Sequence, residues 1–122
     1  MTALWDRGDK ADLRIAVVGA GSWGTAFARH LALSARHTVL CARRPEQTDE
    51  MRRRRHNPEY LEFLELPQSL EYDTYPSPAL ADAHLVVLAV PSKAYRAVLA
   101  AIAPHLRHGV GILSLTKGLD PV

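Results

Sequence analysis

The stretch "IAVVGAGSWG", residues 15–24, constrains this chain more than any other. Four apolar residues run straight into a loop carrying Gly19, Gly21 and Gly24. A β-branched apolar run that stops at glycine reads as a strand buried on both faces. The segment that follows, "TAFARHLALSA" (25–35), places Phe27 and Leu31 four apart with Ala28 and Ala32 beside them, the apolar side of a helix. Strand, loop and helix together match G-x-G-x-x-G. In that setting Gly19 permits the tight turn out of the strand. Gly21 lets a pyrophosphate approach the backbone, and Gly24 lets the helix pack closely against the strand. The N–H groups at the helix start face the anion, and the helix dipole favours it. Ser22 offers a hydroxyl to a phosphate, and Trp23 is expected to stand as a wall over a bound dinucleotide.

The rest of the chain repeats the alternation. "HTVLCA" (37–42) reads as a strand and 45–56 as a charged, solvated helix. Residues 56–78 contain four prolines and read as an irregular connection with one short strand. "PALADA" (78–83) reads as a helical turn, and "HLVVLAVP" (84–91) as a third buried strand. In 92–106, Tyr95, Val98, Leu99 and Ile102 fall at helical spacing, and "GVGILSLT" (109–116) is a fourth strand. Strand–helix alternation implies a parallel sheet with helices on both faces. Right-handed crossovers predict the order 3-2-1-4, so the expected fold is α/β, a Rossmann-type doubly wound parallel sheet that stops after about four strands. Residues 1–13 read as a loose leader before a nucleotide-binding domain over 14–122.

The end of the second strand bears on cofactor choice. An NAD site usually carries an acid there to accept the ribose 2′-hydroxyl. This chain has "CARRPE", with Arg43 and Arg44 and no acid until Glu46. Two guanidiniums attract a 2′-phosphate, so NADP(H) is expected to be preferred, with NAD(H) also admitted.

Composition narrows the alternatives. A net charge of +2 is too small to imply nucleic acid. The arginine run 52–55 has acids nearby and no interleaved aromatics, so it reads as a solvated helix face. The lone Cys41 excludes an intramolecular disulfide and a cysteine metal cluster, and fits a reducing cytoplasm. The six histidines are scattered, and no metal site is expected. No apolar run reaches the roughly 20 residues of a membrane span, and no hydrophobic signal core is present at the N-terminus.

"VVGAGSWGTAFA", "NPEYL…LP", "LAVPSKAYRAVL" and "SLTKGLDP" occur in the order and at the spacings of one family. Across 14–122 the chain resembles the N-terminal part of bacterial NAD(P)-dependent glycerol-3-phosphate dehydrogenase. The resemblance implies an oxidoreductase interconverting glycerol 3-phosphate and dihydroxyacetone phosphate for glycerophospholipid synthesis, cytoplasmic, with a homodimer among the expectations for the full-length protein. It implies that Ser22 and Trp23 contact the cofactor, that Arg43 and Arg44 meet its adenosine end, and that Tyr60 lies near it. Lys117, in "TKG", is implied to contact both substrate and nicotinamide. The sequence departs from the family at Glu62, where a proline usually follows "YL", and through "EFLEL". The family's general-base lysine belongs to a C-terminal helical domain and is expected to lie beyond Val122. No catalytic residue is therefore expected within these residues, and this chain alone is expected to be inactive. The alternatives are a stand-alone NADP(H)-sensing module and the cofactor domain of another Rossmann reductase.

Overall fold

The computed structural model describes residues 13–34 and 37–115. Lys117, Val122 and nearly all of the expected leader lie outside them; Leu13, the leader's last residue, packs against the core. The chain runs β1 (Arg14–Val18), α1 (Ser22–Ala32), β2 (His37–Ala42), α2 (Pro45–Arg54), β3 (Leu70–Thr74), α3 (Ala79–Asp82), β4 (Leu85–Leu88), α4 (Tyr95–Ile102) and β5 (Gly111–Ser114). Short 3₁₀ turns flank α4 at Ser92–Ala94 and Ala103–His105, the second forced by Pro104.

Five strands form one parallel sheet in the order β3-β2-β1-β4-β5. This corrects the expected arrangement. The 84–91 strand pairs with β1 rather than with the 37–42 strand, because the short strand in the proline-rich connection already occupies that neighbour's free edge. The sheet therefore extends both ways from β1, the reversal of direction that defines a doubly wound fold.

Alternate side chains of the buried strands feed two cores. Ile15, Val17, Leu40, Ala42, Tyr72 and Val87 face Ala28 and Ala32 of α1 and Met51 of α2. Ala16, Val18, Val39, Cys41, Val86 and Leu88 face Leu80 of α3 and Val98 and Ile102 of α4. Sheet and helices thus make three layers. Each fully buried aliphatic side chain contributes roughly 1.5–3 kcal/mol.

Helix α1 begins three residues earlier than its apolar stripe indicates, inside the glycine loop itself. Helix α2 buries Gln47, Thr48 and Met51, a mostly polar stripe that hydrophobic periodicity passes over. The Thr48 hydroxyl lies 3.1 Å from the Asp73 carbonyl and 2.7 Å from Thr74 Oγ1, which ties α2 to β3. The arginine run closes the helix. Arg52 donates to the Tyr72 carbonyl at 2.7 Å, and Arg53 and Arg54 both reach Glu50. Arg55, in the left-handed cap at φ 61°, donates to the Leu70 carbonyl and lies 5.8 Å above the Tyr72 ring. Among the described residues no helix is long and apolar enough to cross a membrane.

Candidate functional site: a cleft at the carboxyl ends of the strands

One cleft of about 830 Å³ runs across the top of the sheet. The residues immediately after every strand line it: Gly19–Trp23 after β1, Arg43 and Arg44 after β2, Tyr75 after β3, Ala89–Ala94 after β4, and Leu115 after β5. Gln47, Glu59 and Tyr60 close it on the α2 side. Parallel strands leave their carboxyl-end loops splayed apart where the connections reverse direction, and ligands of such folds bind in that crevice.

The three loop glycines separate by cause. Gly19 has φ 117°, and a Cβ there would lie 2.2 Å from the Ala89 carbonyl oxygen. A Cβ on Gly24 would lie 1.7 Å from the Gly19 carbonyl oxygen. Both positions are settled by packing. A Cβ on Gly21 would meet no protein atom within 4 Å; Gly21 borders the cleft, so its missing side chain leaves room there rather than relieving a clash. No side chain caps the start of α1, and its first turn holds no acid. A backbone cradle with an uncapped helix N-terminus suits a phosphate group. Gly24 itself lies beneath the loop and does not line the cleft.

Of the other expected site residues, Ser22, Trp23, Arg43, Arg44 and Tyr60 all border this cleft. Trp23 is 64% exposed and Tyr60 44%, so two large aromatics stand at its rim with much of their surface in water. Two expectations fall outside the described residues, which run no further than Leu115: the contacts of Lys117, and the general-base lysine placed beyond Val122. The sequence shows no acid after the arginine pair until Glu46, and the fold brings one to it from further along the chain. Glu59, fifteen residues along the chain from Arg44, forms an ion pair with it. Glu59 holds the Arg44 guanidinium above its ordinary pKa, through the hydrogen bond first and the charge second. Arg43 makes no ion pair among the described residues.

Sequence reasoning passed over the residue that holds the loop in shape. Asn57 is fully buried and donates to the Ala20 carbonyl at 2.9 Å and to Thr25 Oγ1 at 2.8 Å. Its Oδ1 accepts from Gln47 Nε2 at 3.3 Å and from the Glu59 N–H at 3.1 Å. Gln47 also donates to the Ala20 carbonyl, at 3.1 Å. The available signal was an Asn-Pro pair after a helix, which reads as a turn and not as a buried polar anchor. Lys93 and Ser92, which follow Pro91 after β4, also line the cleft. Their position just past a parallel strand was the signal for them. The described residues contain no cluster of three or more metal-ligating side chains.

A family model for the N-terminus of NAD-dependent glycerol-3-phosphate dehydrogenase matches residues 14–122. The chain belongs to this family. A glycerol-3-phosphate dehydrogenase [NAD(P)+] of Salinibacter ruber is 44% identical over 106 residues, which cover 87% of this chain and 31% of that protein. Another from Nocardia farcinica is 45% identical over 113 residues, covering 88% and 33%. The crystal structure of glycerol-3-phosphate dehydrogenase from Coxiella burnetii superposes with a TM-score of 0.81 at 31% identity, covering 88% of this chain and 33% of that one. The chain thus spans about a third of the length of the dehydrogenases it matches. The matched region includes every strand that lines the cleft.

Proposed function

We propose that residues 14–122 are the NAD(P)(H)-binding domain of a cytoplasmic oxidoreductase that interconverts sn-glycerol 3-phosphate and dihydroxyacetone phosphate, supplying glycerophospholipid synthesis. The observation that carries the reading is Gly21, whose missing side chain opens onto the cleft while packing accounts for both neighbouring glycines. Around it, the Gly19–Gly24 loop and the start of α1 would receive the pyrophosphate, with the Ser22 hydroxyl as a further donor. Trp23 and Tyr60 would cover the bound molecule. Arg43 and Arg44 would meet a 2′-phosphate, which supports NADP(H) as the preferred cofactor with NAD(H) accepted as well. A bound nicotinamide would supply the hydride when dihydroxyacetone phosphate is reduced and would accept it when glycerol 3-phosphate is oxidised. Lys117 is proposed to contact substrate and nicotinamide. The general base is proposed to come from the helical domain beyond Val122 that the family resemblance implies, and the dimer implied by it is likewise a property proposed for the full-length enzyme.

The test is direct binding of NADPH and NADH to the 122-residue chain, with NADPH oxidation by dihydroxyacetone phosphate followed in parallel. Binding without turnover is expected, with NADPH tighter by about tenfold, roughly 1.4 kcal/mol. The Arg43→Ala/Arg44→Ala pair is expected to erase most of that preference and leave NADH nearly unchanged. Equal wild-type affinities, a preference that survives both substitutions, or turnover well above a protein-free control would each contradict the reading.

A further inference from the structure

Arg44 and Glu59 meet at the rim of the cleft, on two elements that only the tertiary fold brings together. We propose that Glu59 is a specificity-determining residue. By holding the Arg44 guanidinium it limits how strongly the cleft favours a 2′-phosphorylated dinucleotide, and so keeps the site open to both NADP(H) and NAD(H). This rests on the cofactor reading above.

Both partners are fixed from behind. Arg44 is the N-cap residue of α2, and its carbonyl accepts from the Gln47 and Thr48 N–H groups at 3.1 and 3.2 Å. Glu59 is held through its own N–H by the buried Asn57. The two side chains remain 37% and 42% exposed, so the pair is positioned yet within reach of a ligand. Arg43, its neighbour on the same rim, is exposed and has no carboxylate partner among the described residues. A 2′-phosphate entering here meets one open guanidinium and one already neutralised. It must draw Arg44 away from Glu59, or sit beside a carboxylate of its own sign. A 2′-hydroxyl carries no such cost and finds in Glu59 an acceptor, the role an acid fills in NAD sites. One carboxylate therefore weakens one cofactor and serves the other.

The experiment measures dissociation constants of NADPH and NADH by calorimetry on the full chain, for wild type, Glu59→Gln, Arg44→Ala, Arg43→Ala and the Glu59→Gln/Arg44→Ala pair. Glu59→Gln is expected to raise the preference for NADPH over NADH by about fivefold, the scale of one exposed ion pair. That gain is expected to vanish when Arg44 is already alanine, since the effect passes through its guanidinium. Independently of that variant, Arg43→Ala is expected to lose more NADPH affinity than Arg44→Ala. A wild type that binds both cofactors, with a ratio that Glu59→Gln moves by less than about twofold, overturns the inference and leaves the cofactor reading standing. The same gain in the Arg44→Ala background, or a larger loss from Arg44→Ala than from Arg43→Ala, overturns it as well. A wild type that binds neither nucleotide overturns both.

Discussion

Gly21 and Gly24 are three residues apart and fail in opposite ways when given a side chain. At Gly24 the new Cβ meets the Gly19 carbonyl, and neither backbone can retreat without separating α1 from β1. Gly24→Ala is expected to cost at least about 2 kcal/mol in urea unfolding. Gly21→Val adds its side chain to open cleft, so the melt should change little while NADPH binding is abolished; undiminished affinity would show that the loop is only a turn. Cys41 offers a second test at this scale. Burial pushes its thiol up to about 12, with the Ser77 hydrogen bond pulling the other way and the Asp73 charge adding a little. The sign follows from linkage. The unfolded thiol, near its ordinary value of 9.0, releases its proton before the folded one does. Stability is therefore full below pH 9 and falls as pH rises toward 12. The wild-type chain is expected to lose stability across that window and Cys41→Ala to lose less of it, both read by denaturant titration at a series of pH values. At about pH 8 the native thiol is expected to resist alkylation that the unfolded chain undergoes readily.

The elements around the cleft are joined by polar contacts as much as by apolar ones. Asn57 links the β1–α1 loop, α1, α2 and the 57–60 turn through four hydrogen bonds. Removing its amide leaves the Ala20 carbonyl with Gln47 alone, and Thr25 with a buried hydroxyl and one partner fewer. Asn57→Ala is expected to cost about 2–3 kcal/mol in chemical unfolding, because buried groups are left unsatisfied. It should also weaken nucleotide binding in the variant that remains folded, through a loosened loop. Unchanged affinity and stability would mean the network is incidental. Helix α2 shows the same principle from the other side. Its buried face is held by Thr48 to β3 and by Gln47 to the glycine loop, so the helix sets the wall of the cleft without an apolar stripe.

At the scale of the molecule, the sheet separates two cores that share no helix. Leu40 lies in the core under α1 and α2, and Ile102 in the core under α4. Leu40→Ala is expected to cost about 2–5 kcal/mol and Ile102→Val about 0.5–1.5 kcal/mol. The costs should add to within about 0.5 kcal/mol, since the two side chains lie in separate cores on opposite faces of the sheet. Strong non-additivity in thermal or urea unfolding would show that the sheet transmits strain from one layer to the other.

The sequence by itself determined the parts whose signal is local. Apolar runs ending at glycine or proline marked β1 and β4, a third apolar run marked β2, and the glycine spacing placed the loop that heads the cleft. Helix α4 was legible because Val98 and Ile102 lie on one side of a turn, both buried as their spacing demands. Tertiary structure alone decided what depends on distant partners. The short β3 gains its place from pairing with β2 along Thr38–Ala42, and this moved β4 to the other side of β1. The buried stripe of α2 is polar, and polar side chains can be buried only once their partners are positioned, which no local pattern records. Glu59 reads as one solvated acid among many in the chain, and it becomes part of the cleft because Asn57 turns the backbone so that it meets Arg44. Periodicity reports which side of an element is apolar; only the closed fold settles which charges end up facing each other.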